Sequence, residues 1–141
     1  MKQQNIKTEE QFMSHDIWIS ISAGVVCLLL SVYSLTNNNI EEMIVVGMSV
    51  LFYMVVTAIF MIKASFPLKM YFKYAYKDEF LNNIDINAYK HTSFAFGFCL
   101  IAVFYKSDEI PSEVSHATMA ILYLSIMLLV YGASLLWQSR D

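Results

Sequence analysis

Between Asp16 and Glu41 the chain carries no charged residue over 24 positions, and between Glu42 and Lys63 it carries none over 20. Charge is likewise missing from the 15 positions between Lys90 and Lys106 and from the 26 between Glu113 and Arg140. Only 15% of the 141 residues are charged, against about 25% in soluble domains. Runs this bare of charge argue against a water-soluble globule. Crossing about 30 Å of hydrocarbon at about 1.5 Å per residue takes about 20 residues, so three of the four runs suffice as they stand. The third is short, and is completed by Ile86, Ala88 and Tyr89 if Lys90 and Lys106 stretch their ammonium groups to the two interfaces.

Other absences narrow the chemistry. There are two cysteines, Cys27 and Cys99, both inside apolar runs. They make no disulfide framework and no CxxC pair, and are read as small buried thiols. Four glycines and no HExxH leave neither a phosphate-binding loop nor a zinc motif. Away from their ends the four runs hold no Asp, Glu, Lys or Arg, which disfavours proton-coupled export and ion pumping. His15, His91 and His116 stand at run ends. A haem between His15 and His91 would need facing helices, and solvated interfacial imidazoles are the plainer reading. No catalytic residue, cofactor, metal or nucleic-acid partner is expected. The net charge of −3 is a sum over two sides of a membrane and identifies no partner.

What remains is an all-α architecture, a polytopic membrane protein of four transmembrane helices in two hairpins. A polar N-terminal tail, residues 1–16, is expected to be disordered or a loose surface helix. The membrane domain covers 17–137, with spans at about 17–36, 43–62, 86–106 and 116–137, and a short tail follows at 138–141. The first run is too long for a signal-peptide core and is read as a span. Trp18 and Trp137 suit the headgroup level. Tyr53, midway through the second span, should face the bundle and bond a hydroxyl or carbonyl there.

The bridge 63–85 joins the hairpins. Pro67 marks a break after the second span, and Lys69, Lys73 and Lys77 then recur every four residues beside Leu68, Tyr71, Phe72, Tyr76 and Phe80. Such a helix can lie in the headgroup region with its lysines among anionic phosphates, so Lys63, Lys69, Lys73 and Lys77 are candidate contacts for anionic lipid or a cytoplasmic partner. Asp78 and Glu79 are read as local helix ion pairs with Lys77. With both termini and the bridge on one side, that side holds eight of the nine cations and the other only Lys106. The positive-inside rule then makes both termini cytoplasmic, in a bacterial inner membrane.

Small residues mark where helices meet. Ser20, Gly24, Cys27, Ser31 and Ser34 follow a 4-3-4-3 spacing on one side of the first span. Gly47, Ser93 and Gly97 are candidates of the same kind in the second and third. Lipid tails are as apolar as leucine, so helices associate in a bilayer through the close approach that small residues permit. Laying residue n over n+72 pairs Ala23 with Ala95, Cys27 with Cys99, Tyr33 with Tyr105 and Glu41 with Glu113, as a duplicated hairpin would.

The passage from Lys77-Asp78-Glu79-Phe80 through Ala88 into the third span resembles small uncharacterised bacterial four-span proteins with an acidic motif before that span. The resemblance covers residues 77–105 and implies the architecture, with no activity attached. The expectation is a non-enzymatic membrane interaction or assembly module, partnered by lipid and by itself or other membrane proteins. The alternative is a homo-oligomeric channel or membrane-permeabilising effector gated through the bridge and lined by serine and threonine.

Overall fold

The computed structural model describes residues 2–36, 42–64, 76–106 and 114–140, and over these the chain is helical with no strand. The helices are α1 (Lys2–Thr36), α2 (Glu42–Ala64), α3 (Glu79–Lys106) and α4 (His116–Gln138). The turns 37–41 and 107–113 and the bridge residues 65–75, with Lys69 and Lys73, lie outside the described residues.

Two helices make the centre and two flank it. α1 packs most extensively on α4, α3 packs on α4, and α2 packs on α1 with a smaller contact to α4. Among the described residues α2 and α3 do not meet. The central pair runs antiparallel, since Gly24 lies against Leu129, Ile21 against Gly132, and Ser34 bonds Thr118.

The spacing of apolar and small residues explains α1. Its seam, taken backward by the same 3-4 steps from Ser20, reaches Ile17 and Met13, which are 3% and 2% exposed. The polar beginning of the chain therefore continues the first helix as an ordered part of the fold, where a loose tail was expected. At ~1.5 Å per residue the stretch Thr8–Thr36 is about 44 Å long, more than the ~30 Å hydrocarbon layer. The excess is the polar turns before Ile17, which stand beyond the apolar stretch 17–36.

α3 begins at Glu79, ahead of the expected 86. The reason is Asp78, whose Oδ1 accepts from the backbone N–H of Phe80 at 2.9 Å and of Leu81 at 3.1 Å. That is helix N-capping, not the ion pair with Lys77 that the sequence suggested. Ser115 does the same for α4, accepting from Ala117 and Thr118.

Among the described residues two helices are long and apolar enough to cross a membrane, the stretch Thr8–Thr36 of α1 and all of α4; α2 contributes a shorter apolar segment, Gly47–Ile59. The flanking helices leave large apolar side chains uncovered. Leu51, Met54 and Ile62 of α2 and Phe94, Phe98 and Phe104 of α3 are each 60% exposed or more.

The duplication suggested by the n+72 alignment has no counterpart in the packing. It would place α3 where α1 stands, yet α1 is central and α3 peripheral. Cys27 is buried, and Cys99 only partly so.

Candidate functional site

The polar chemistry of the described chain gathers at one end of the bundle, where α1 and α3 begin and α4 closes. Beneath it lies an apolar floor of Met13, Ile17, Leu81, Ile84, Ala88 and Leu135, all buried. α3 meets this floor because Leu81, Ile84, Asp85, Ala88 and Thr92 fall on one helical face. Burying each large aliphatic side chain there contributes about 1.5–3 kcal/mol.

Three carboxylates gather above that floor with Tyr76 and Tyr131, which pack against it. Glu9, only 7% exposed, accepts from the backbone N–H of Lys77 at 3.0 Å and of Asp78 at 3.1 Å. A buried carboxylate would be costly alone, and two amide donors offset its lost hydration. The same contact pins the segment entering α3 against α1. Tyr131 of α4 then reaches between the other two acids. Its hydroxyl donates to Asp85 Oδ1 at 2.6 Å and lies 3.2 Å from Asp16 Oδ2. The Tyr131 ring is tilted against Tyr89 with centroids 5.0 Å apart, and Tyr76 sits against Phe12 at 6.3 Å.

Asp16 and Asp85 each stand one residue before an apolar stretch, 17–36 and 86–106. Burial raises the Asp16 carboxyl to about 6, against a lowering by the Tyr131 hydroxyl, with the Asp85 charge adding to the rise. Burial also pushes Asp85 up, opposed by Tyr131. The Tyr76 phenol is held well above its ordinary value, first by burial and then by the surrounding acids. Burial holds His15 below the ordinary imidazole value. On the far flank His91 Nδ1 lies 2.6 Å from the Ser134 hydroxyl, to which Gln138 Nε2 donates at 2.9 Å. Among the described residues no group of three or more His, Cys, Asp or Glu could hold a metal ion.

The small-residue candidates divide in two. Ser20, Gly24, Cys27 and Ser31 of α1 are buried, and Ser34 is hydrogen-bonded to Thr118 at 2.9 Å. A Cβ on Gly24 would come within 2.8 Å of Leu129 Cγ and 3.1 Å of its backbone nitrogen. Gly47 and Gly97 face open space, where a Cβ would meet nothing within 4 Å. Ser93 is exposed, and its hydroxyl donates to the Tyr89 carbonyl. Of the bridge lysines, Lys77 is exposed, Lys63 ends α2 with its side chain outside the described residues, and Lys69 and Lys73 lie outside them altogether.

Sequence reasoning overlooked the matching half of the seam on α4. A Cβ on Gly132 would lie 2.7 Å from Ile21 Cγ1 and 3.3 Å from the Ile17 carbonyl. Thr118, Ser125 and Gly132 are buried and spaced by seven residues, a signal open to the same reading as α1. Hydroxyls inside the bundle return their hydrogen to the helix, Ser31 to the Leu28 carbonyl at 2.8 Å and Ser125 to that of Leu122 at 2.7 Å. Such internal satisfaction is what a waterless interior requires. Tyr53 lines an apolar groove of about 420 Å³ among α1, α2 and α4, with Cys27, Ser49, Ala117, Ile121 and Leu128. It is 44% exposed, so it faces the bundle less completely than expected.

Set beside known protein families, curated proteins and solved structures, the chain matches none of them. The class is therefore stated from the molecule alone: an all-α chain of four described helices, two of them long and apolar enough to cross a membrane.

Proposed function

We propose that the chain is a non-enzymatic module of a bacterial inner membrane that crosses the bilayer four times, has both termini in the cytoplasm, and assembles with further copies of itself. The observation that carries this reading is the outward face of α2 and α3, where Met54, Ile62, Phe98 and Phe104 are 65–79% exposed. In water such exposed apolar area drives aggregation, whereas acyl chains cover it at no cost. Gly47 and Gly97, with open space above the Cα, are points where the backbone of a second copy can approach closely. The bridge lysines Lys63, Lys69, Lys73 and Lys77 would meet anionic headgroups. Of the hydroxyls a channel lining would use, Ser20, Ser31 and Ser125 are buried in this chain, and Ser93 is exposed.

Two measurements test the reading. A reporter active only beyond the inner membrane should stay dark when fused to either terminus, and a bright signal overturns the layout. Native mass in detergent should exceed one chain and fall to one chain in the Gly47→Leu, Gly97→Leu double variant. A single-chain mass in the wild type overturns the assembly, and a mass set by a different protein replaces self-association with another partner.

A further inference from the structure

One hydroxyl hydrogen serves two carboxyls, Asp85 buried and Asp16 half-buried, where α1, α3 and α4 come together. A phenol has a single hydrogen to donate, and the 2.6 Å contact to Asp85 takes it. The 3.2 Å contact to Asp16 is then a hydrogen bond only if Asp16 carries a proton and donates it to the Tyr131 oxygen. With that proton the chain of donors is complete, from Asp16 through Tyr131 to Asp85. Without it, two ionised carboxylates face the same oxygen across a short, poorly hydrated gap. We propose that Asp16, Tyr131 and Asp85 form a proton-operated latch that ties α3 to the central pair when one carboxyl is protonated and slackens when both are ionised.

The surroundings fit this role. α1 and α3 touch each other only slightly, so above the apolar floor they share the polar tie between them passes through Tyr131 and through Glu9, which grips the segment leading into α3. The groups facing the pair are Tyr131 from α4, Tyr89 from α3 and Tyr76 from the segment before α3, with Glu9 of α1 next to Tyr76. No cation stands among them, and Tyr76 is held protonated by burial and by the acids beside it. This company favours keeping one proton on the acid pair.

The sign follows from linkage. Asp16 binds its proton more tightly in the folded chain, at about 6 against an ordinary 3.8. The folded state therefore holds more protons than the unfolded one between those values, and stability falls as pH rises through them. The stability the latch contributes is full below about pH 4 and falls up to about pH 6, while the latch itself keeps its proton until the pH nears 6 and is slack above, with Asp85 acting in the same direction.

The test uses the full chain in lipid bicelles. Infrared titration should show a protonated-carboxyl band persisting above the range of an exposed aspartate and disappearing near pH 6. Asp16→Asn and Asp85→Asn should each weaken or remove it. Hydrogen exchange, corrected for its intrinsic pH dependence, should show protection of residues 79–92 falling about tenfold for each pH unit of tighter proton binding released. Asp16→Asn, whose amide can donate permanently to the Tyr131 oxygen, should keep that protection high at every pH. A wild type without a persistent carboxyl band overturns the proposal. So does a wild type that shows the band with pH-independent protection, and these two readings stand even if a variant fails to fold.

Discussion

The central pair and the flanking pair solve opposite problems with the same apolar alphabet. α1 and α4 meet through Gly24, Cys27, Ser31, Ser125 and Gly132, all buried, so their backbones come close enough for one added methyl group to collide. α2 and α3 carry Met54, Phe98 and Phe104 outward, 65–79% exposed. Size, more than hydrophobicity, separates the two regions. On the proposed reading, where lipid and leucine are equally apolar, close van der Waals contact and internally satisfied hydroxyls hold helices together, and bulky side chains are left to the bilayer.

The comparison breaks most readily at the glycines. Gly132→Leu and Gly24→Leu should force α1 and α4 apart and abolish the folded bundle, while Gly132→Ala should cost about 1–3 kcal/mol by overpacking. Gly47→Ala and Gly97→Ala, each with free space, should leave the single chain unchanged or up to ~1 kcal/mol more stable through helix propensity. Denaturant titration in mixed micelles followed by circular dichroism measures all of these, and equal losses at the inner and outer glycines would erase the distinction. Leu135→Ala, at the foot of the central pair and fully buried, should cost about 2–5 kcal/mol in the same titration. Asp78→Ala should cost about 1 kcal/mol by uncapping α3, with faster hydrogen exchange confined to its first turns. The smallest effect belongs to the Ser34–Thr118 bond. Thr118→Val should cost about 0.6 kcal/mol, a typical interhelical hydrogen bond in a bilayer.

How much of this was readable beforehand depended on distance along the chain. The α1 seam was legible because its period is local, and the same 3-4 steps from Ser20 lead back to Ile17 and Met13. Charge density hid that continuation, since Lys7, Glu9, Glu10 and Asp16 make the first sixteen residues look like solvent-exposed chain. The α4 half of the seam had an equally plain period in Thr118, Ser125 and Gly132. The acid–phenol cluster was not legible. Asp16, Asp85 and Tyr131 are brought together only by the packing of α1 and α3 on α4, and each alone reads as an ordinary end-of-helix or mid-helix residue. Asp78 was misread because a cap and an i,i+1 charge neighbour look alike until the backbone direction is known.

The claim on which the rest depends is that the outer faces of α2 and α3 are in lipid around a close-packed α1–α4 centre. Nitroxide labels at Met54 and Phe98, in the chain reconstituted into vesicles, address it most directly through collisions with oxygen and with a water-soluble nickel complex. Frequent collision with oxygen and little with nickel is the expected result at both positions. Free access of nickel to either label would put that face in water and contradict the account.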